Sequence, residues 1–131
     1  YRPVIDGYAI DGPFAIGGLE IVPFEQDHGI CMTLGFRFGR FAYSTDVVEL
    51  PELAFDVLAG VDTWMVDCLR DGDEHPTHAN LVRTLSWIDR VQPRRAILTH
   101  MNFQADYATL MAATPDGVEP AYDGMVFDVP D

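Results

Sequence analysis

The run at 61–68, centred on the apolar residues Trp64, Met65 and Val66, is the sequence feature that most constrains the fold of this chain, and we interpret it as an apolar strand. An apolar strand without alternating polar residues is typically buried on both faces of its sheet. Helices are predicted before this run, at 51–59, and after it, at 80–91, and a further strand follows at 96–99. This alternation predicts an α/β domain in which helices connect the strands. The face predicted to bury the second helix consists of Leu81, Val82, Leu85 and Ile88.

Hairpins are predicted in the first half of the chain. Strand-like segments at 14–24 and 32–38 are interrupted or followed by glycine turns, and 40–44 follows the turn at Gly39. Because hairpins give antiparallel pairs and crossovers give parallel pairs, we expect a mixed sheet. A third helix is predicted around Phe103, Tyr107, Leu110 and Met111, and a last strand at 125–129.

The charge balance excludes several classes of partner. Eight Lys and Arg residues, none of them Lys, stand against 21 Asp and Glu residues, so the formal net charge is −13. Such a surface repels phosphate backbones and anionic membranes, so nucleic-acid binding is disfavoured. No membrane-spanning run or signal peptide is visible, and Cys31 and Cys68 are predicted to be buried free thiols, so a cytoplasmic location is expected.

The segment 41–46, Phe-Ala-Tyr-Ser-Thr-Asp, predicts a buried strand that ends on a carboxylate. An ionised Asp46 at the end of an apolar strand is costly to desolvate unless a cation compensates it. That cation is an arginine of another chain, a basic residue near in sequence such as Arg37 or Arg40, or a metal ion.

The histidines also fall at predicted strand ends or in loops. His28 and His100 follow strands, whereas His75 and His78 lie in a polar loop before the helix at 80–91. An α/β protein gathers its active site at such positions. The alternative for each histidine is a solvated or hydrogen-bonded residue without a ligand.

From His28 onward, several motifs occur in a specific order. They are Asp27-His28-Gly29, Gly35-Phe36-Arg37, Tyr43-Ser44-Thr45-Asp46, Val66-Asp67-Cys68-Leu69-Arg70, His75-Pro76-Thr77-His78, Leu98-Thr99-His100-Met101 and Tyr122-Asp123-Gly124-Met125. The sequence with these motifs resembles the C-terminal half of a metallo-β-lactamase-fold hydrolase, and within that fold it is most similar to the phosphoribosyl cyclic phosphate phosphodiesterase branch.

The resemblance implies a fold and a metal centre. Residues 1–131 would form a single partial domain, the C-terminal half of an αββα sandwich with a mixed sheet and flanking helices. It implies two divalent ions, Zn or Mn, in the complete protein: His28 would bind one, Asp46 would bridge both, and His100 would bind the second. The family motif His-x-His-x-Asp-His is absent from this sequence and is expected upstream of Tyr1.

The resemblance also implies a reaction. It implies hydrolysis of a small, cyclic phosphodiester by a metal-bound hydroxide, with His78 as the catalytic proton donor and with His75 and Arg70 as substrate-binding residues. For Arg70 a salt bridge to Asp71 or Asp73 is equally compatible with the sequence. Asp67 would either orient a ligand histidine or be structural.

Two alternatives remain open at this stage. The chain alone would be a non-catalytic half-domain that exposes an apolar sheet face and associates with a partner, as a homodimer for example. Within the same fold, a tRNA-processing endonuclease would require a basic surface. The basic residues near the helix at 80–91 are instead predicted to be a solvated face; they are Arg83, Arg90, Arg94 and Arg95.

Overall fold

The computed structural model describes residues 4–129 and shows a seven-stranded sheet flanked by helices. The strands lie in the sheet in chain order, from β1 to β7. The first four are joined as antiparallel pairs and the last four as parallel pairs, so the predicted mixed α/β sheet is confirmed. The elements are β1 (Phe14–Ile16), β2 (Leu19–Asp27), β3 (Met32–Phe38), β4 (Phe41–Ser44), α1 (Glu52–Leu58), β5 (Thr63–Asp67), α2 (Leu81–Val91), β6 (Arg95–Thr99), α3 (Tyr107–Ala113) and β7 (Val118–Pro120).

Side-chain caps fix where two of the helices begin. The Asn80 side chain accepts a hydrogen bond from the backbone N–H of Arg83 and caps α2, and Asp106 caps α3 through Thr109 in the same way. Helix α2 buries Leu81, Thr84, Trp87 and Ile88. Val82, predicted on this face, is 70% exposed, because the buried stripe passes through Thr84 and Trp87 instead.

One face of the sheet carries the core. Trp64 of β5 lies directly between Ala42 of β4 and Ala96 of β6, and all three are buried. Leu58 of α1 and Leu110 of α3 belong to the same cluster, so the helices cover this face. Fully burying a large apolar side chain contributes roughly 1.5–3 kcal/mol, which makes this layer the main source of stability.

The opposite face of the sheet is aromatic. The ring centroid of Phe38 lies 6.4 Å from that of Phe36 and 5.9 Å from that of Phe41. Tyr43, on the same face, is 37% exposed. The ring of Phe127 packs on Phe41 at a centroid distance of 5.9 Å.

Two predictions for the C-terminal part are wrong. Residues 125–129 form no strand, because this segment lies on the sheet through the Phe127 ring and not through backbone pairing. The last strand is β7, which pairs with β6 and ends on Pro120, a residue tolerated at a sheet edge. Phe103 precedes α3 and is 96% exposed, so it is not part of that helix.

The two cysteines differ in burial. Cys68 is buried as predicted, but Cys31 is exposed, because it lies in the turn between β2 and β3 and not within a strand.

The basic residues near α2 each form an ion pair with a carboxylate; they are Arg83, Arg90, Arg94 and Arg95. Within residues 4–129, no helix is both long and apolar enough to cross a membrane.

Candidate metal centre

The chain's four histidines meet at one edge of the sheet. Strands β2, β4, β5 and β6 run in the same direction, so their carboxyl ends meet there. His78 lies at the centre of the group, with its ring centroid 4.8 Å from that of His28, 4.7 Å from that of His100 and 5.3 Å from that of His75. The topology therefore brings together residues that are far apart in the sequence.

Asp46 follows β4 at this edge and has an unusual backbone. Its φ angle is +58°, and His100 is also left-handed, at +63°. Non-glycine residues adopt this region rarely and at some cost, and they cluster at functional sites. Hydrogen bonds hold the Asp46 backbone on both sides: its N–H donates to Asp67 Oδ2 at 2.8 Å, and its carbonyl accepts from Thr33 Oγ1 at 2.7 Å.

A buried amide supports the same turn. Gln26 is fully buried, and its Nε2 donates to the carbonyl of Thr45 at 2.9 Å and to Thr33 Oγ1 at 3.3 Å. The turn that presents the Asp46 carboxylate is thereby tied to strands β2 and β3. No signal in the sequence distinguished Gln26 or Thr33 from ordinary strand residues.

The two arginines near Asp46 in sequence do not compensate its charge. Arg37 donates to the backbone carbonyls of Gly39, Val57 and Ala59, on the helix side of the sheet. Arg40 pairs with Asp62 at the opposite end of β5. The explanation by Arg37 or Arg40 is therefore wrong, whereas a metal ion at Asp46, whose side chain is 48% exposed, stays a prediction.

The arrangement around Asp46 fits a metal ion. Asp46 Oδ1 lies 3.9 Å from His28 Nε2 and 3.8 Å from His100 Nδ1. These separations are too long for hydrogen bonds, but two ligand atoms that are each about 2.0–2.2 Å from one ion lie within about 4.4 Å of each other. The donor set of imidazoles and a carboxylate suits zinc or manganese.

The tautomer of His28 suits a ligand. Its Nδ1 lies 2.7 Å from the carbonyl oxygen of Thr77, which can only accept, so Nδ1 carries the hydrogen. The Nε2 lone pair then faces Asp46, as in metal sites where the second ring nitrogen is held by a carbonyl.

Asp67, the last residue of β5, connects the histidines. It is fully buried, and its Oδ2 accepts from the backbone N–H groups of Asp46 and Val47. The same oxygen lies 3.1 Å from His78 Nδ1 and 3.3 Å from His100 Nδ1. Asp67 Oδ1 has no hydrogen-bond partner within residues 4–129. The sequence left open whether Asp67 orients a histidine; the contact with His78 favours that role, whereas His100 Nδ1 faces both Asp67 and Asp46.

His78 lies close enough to the other site residues to serve either as a proton donor or as a metal ligand. The ligand atoms of His28, Asp46 and His78 all lie within 4.8 Å of one another, and so do those of Asp67, His78 and His100. A proton donor and a metal ligand are thus both compatible with its position, and its catalytic role stays a prediction.

His75 lies at the rim of the group. Partial burial is the main cause that lowers the pKa of His75, and the neighbouring His78 and Arg70 lower it further. Its Nδ1 accepts a hydrogen bond from the backbone N–H of Thr77 at 3.4 Å. Both observations favour a neutral imidazole, able to donate from Nε2 only.

Arg70 holds the loop that carries the histidines. Its Nε and Nη2 donate to the backbone carbonyls of Asp73 and Glu74 at 3.2 Å, and its Nη1 donates to Gln104 Oε1 at 2.6 Å. The alternative of a salt bridge to Asp71 or Asp73 is not observed among the described residues. A phosphate would have to share or displace these contacts, and the substrate-binding role of Arg70 stays a prediction.

Helices on one face of a mixed sheet, with histidines and carboxylates past the parallel strand ends, define the metallo-β-lactamase fold. The chain belongs to the family described as the Beta-lactamase superfamily domain, whose sequence model matches residues 3–101. The fold and superfamily expected from the resemblance are confirmed.

Solved structures share this fold. A diphosphatase from the PhnP family is 26% identical with a TM-score of 0.89, over 93% of this chain and 48% of that one. The metallo-beta-lactamase fold protein YhfI from Bacillus subtilis is 18% identical with a TM-score of 0.80, over 97% of this chain and 57% of that protein. Human tRNase Z, short form, is 18% identical with a TM-score of 0.67, over 90% of this chain and 45% of that protein. The last two show the fold alone.

A curated relative is similar over a smaller share of its length. The octanoyltransferase of Porphyromonas gingivalis is 24% identical over 116 residues, which are 88% of this chain and 24% of that protein. The chain thus spans about half the length of the solved structures and about a quarter of this relative.

Proposed function

We propose that the full-length protein is a metal-dependent hydrolase of a small, cyclic phosphodiester, to which this chain contributes one side of the active site. The observation that carries the proposal is the convergence of His28, Asp46, Asp67, His78 and His100 at one sheet edge. The similarity to a diphosphatase supports a phosphate-containing substrate.

Three side chains would hold the ions. His28 through Nε2, Asp46 through its carboxylate and His100 are the proposed ligands, with Asp46 as the bridge between two ions. When bound, Zn²⁺ or Mn²⁺ would activate a water molecule and neutralise charge on the phosphate. The remaining ligands would come from parts of the protein outside these 131 residues.

His78 would deliver the proton that the leaving group needs. Its Nδ1–H would donate to the buried Asp67 carboxylate, so Nε2 would face the site and carry the proton that is transferred. As the water oxygen bonds to phosphorus and the P–O ester bond breaks, Nε2–H passes its proton to the departing oxygen. The attacking water loses one proton to solvent and His78 regains one from solvent, so the proton count balances over the reaction.

The negative charge of the surface favours a small phosphorylated substrate over RNA. The net charge is −13, and the four arginines near α2 are neutralised by carboxylates. A tRNA substrate would meet repulsion at such a surface.

The free thiols of Cys31 and Cys68 support a reducing compartment and hence the cytoplasm.

His78→Ala in the full-length protein tests this mechanism. We expect unchanged metal content and a loss of about 10²–10⁴ in kcat for phosphodiesters with a poor leaving group. A leaving group that needs no proton, such as p-nitrophenolate, should be released with a much smaller loss. Loss of bound metal would instead make His78 a ligand, and full activity on both substrates would exclude the proton-donor role.

A second candidate is a half-domain that pairs with another copy of itself. The aromatic sheet face formed by Phe36, Phe38, Phe41 and Tyr43 favours it, since such a face is normally covered. Sedimentation of the 131-residue chain tests it. A dimer that Tyr43→Asp dissociates would support this candidate, and a monomer at high concentration would contradict it.

A further inference from the structure

Asp46 lies in a turn whose backbone groups are bound from two sides. On one side, the carbonyls of Thr45 and Asp46 accept hydrogen bonds from side chains of β2 and β3. On the other side, the N–H groups of Asp46 and Val47 both donate to Asp67 Oδ2. In an extended strand, successive carbonyls point in opposite directions, and so do successive N–H groups. Both pairs point the same way here, which requires the chain to leave the extended conformation, as it does at Asp46 with a φ angle of +58°.

The hydrogen bonds on the carbonyl side of this turn have a defined direction. A backbone carbonyl can only accept, so the Thr33 hydroxyl donates its hydrogen to the carbonyl of Asp46, at 2.7 Å. The Gln26 amide donates one hydrogen from Nε2 to the carbonyl of Thr45, at 2.9 Å, and the other to Thr33 Oγ1, at 3.3 Å. Every side-chain donor of Gln26 and Thr33 is therefore used to hold two consecutive carbonyls.

The acceptor end of the Gln26 amide has no such use. Gln26 is fully buried, and its Oε1 has no hydrogen-bond partner among the described residues. It lies over Gly35, where an added Cβ would collide with Oε1 and with the ring of Phe24. A buried acceptor without a partner costs free energy that an apolar side chain of similar length would avoid. The hydrogen bonds that Gln26 donates, and not the burial of its side chain, therefore account for an amide at this position.

We propose that Gln26 and Thr33 are positioning residues of the metal site, which act through the Asp46 backbone and not on the ion itself. Their hydrogen bonds hold Asp46 in the left-handed conformation, which costs free energy for a residue with a side chain. In this conformation Asp46 Oδ1 lies 3.9 Å from His28 Nε2 and 3.8 Å from His100 Nδ1. Without these hydrogen bonds, Asp46 would relax towards a right-handed or extended backbone and turn its carboxylate away. The proposal rests on the proposed function in that Asp46 is taken as a metal ligand.

Two variants of Thr33 test the proposal in the full-length protein, with zinc affinity measured by competition against a chromophoric chelator. Thr33→Val has nearly the same shape without the hydroxyl and should bind Zn²⁺ about 10–100-fold more weakly. Thr33→Ser keeps the hydroxyl and should bind Zn²⁺ nearly as tightly as the unmutated protein. Thr63→Val is the matched control and should leave the zinc affinity unchanged, because the buried Thr63 hydroxyl contacts Asp62 at the opposite end of the sheet.

Gln26→Met separates positioning from stability. Methionine has nearly the length of glutamine but neither a donor nor a buried amide oxygen, so removal of the unpartnered Oε1 offsets part of the lost hydrogen bonding. We expect the metal-free variant to unfold at nearly the same urea concentration as the unmutated protein and to bind Zn²⁺ about 10–100-fold more weakly. An amide that serves the fold alone predicts the reverse, a lower unfolding midpoint with unchanged zinc affinity.

Hydrogen exchange of single amides tests the same hydrogen bonds without any metal. In Gln26→Met, the amides of Asp46 and Val47 should exchange at least about tenfold faster, because the turn opens more often. The amides of Trp64 and Met65 in β5 should keep their rates. If the unmutated protein binds no divalent ion, the proposed function fails, and these exchange rates alone decide whether Gln26 holds the turn.

Three results would overturn the proposal. In a protein that binds zinc, they are equal affinities of Thr33→Val and Thr33→Ser, or a loss in Thr63→Val as large as that in Thr33→Val. With or without zinc, the third is unchanged exchange of the Asp46 amide in Gln26→Met.

Discussion

Asp67 Oδ2 and His78 Nδ1 lie 3.1 Å apart, with the Asp67 side chain fully buried and that of His78 only 14% exposed. Asp67 ends β5, and His78 lies in the loop that leads into α2, so the chain returns to the same sheet edge within 11 residues. This contact fixes which nitrogen of His78 faces the site. It also places one buried carboxylate beside His100, at 3.3 Å.

Replacement of Asp67 by Asn should impair the site more than the fold. An amide can accept a hydrogen bond but cannot stabilise an imidazolium, and partners of this kind typically account for 10–100-fold in metal affinity or activity. We expect a loss of about that size in the full-length protein. Asp62→Asn is the control: Asp62 is also a buried carboxylate, but it pairs with Arg94 at the opposite end of the sheet. Equal losses in both variants would contradict the role of Asp67.

Gly29→Ala should disturb the contact between two loops of the site. Gly29 has a φ angle of +79°, and an added Cβ would collide with the backbone carbonyl oxygen of Pro76, next to the Thr77 carbonyl that holds His28. Backbone strain and displacement together should lower the free energy of unfolding by about 3 kcal/mol and weaken metal binding.

The matched control for that variant is Gly39→Ala. Gly39 has a φ angle of +57° but open space around it, so only the backbone cost of about 1 kcal/mol applies. Urea denaturation of the full-length protein measures both variants. If Gly29→Ala is no more destabilising than Gly39→Ala, the loop contact is not as tight as the structure indicates.

The buried thiol of Cys68 should make stability depend on alkaline pH. Burial, with smaller effects from Asp67 and Asp71, raises the pKa of Cys68 from 9.0 to about 12. The unfolded thiol ionises above pH 9.0 while the folded one stays protonated, so the folded state binds more protons in this range. The free energy of unfolding should therefore fall between pH 9.0 and about 12, by up to about 1.4 kcal/mol per pH unit.

Comparison with Cys68→Ala isolates this contribution, because the variant lacks the thiol and should show a shallower alkaline decline. The chain has no lysine, but its five tyrosines ionise in the same window in all three proteins, so the difference between the slopes is what reports Cys68. Cys31→Ala, which removes an exposed thiol, should decline like the unmutated protein. Identical slopes in all three proteins would contradict a strongly raised Cys68 pKa.

Local patterns were sufficient to predict most of the fold. The run at 61–68, the helical spacing of Leu81, Leu85 and Ile88, and the glycine turns act over a few residues, and the corresponding elements are present. The last strand was missed because β7 is short and depends on its pairing with β6, a contact made over about 20 residues. The strand predicted at 125–129 is absent because this segment contacts the sheet through the ring of Phe127 on Phe41, which no local rule reveals.

The candidate site was only partly predictable for the same reason. Polar residues at strand ends are visible in the sequence, so His28, Asp46 and His100 could be selected. The connections made by Asp67, Gln26 and Thr33 depend on which strands are neighbours, and the sequence does not specify them residue by residue. The loop contacts of Arg70 were likewise not visible in the sequence, and its substrate-binding role stays a prediction.

The metal content of the full-length protein tests the central claim most directly. Elemental analysis after purification and loading with Zn²⁺ or Mn²⁺ should give about two ions per chain, since Asp46 is proposed to bridge a pair of ions. Chelation should remove them together with phosphodiesterase activity, and restoration of the ions should restore it. A full-length protein that binds no divalent ion under these conditions, or that hydrolyses phosphodiesters equally well without one, would contradict the account.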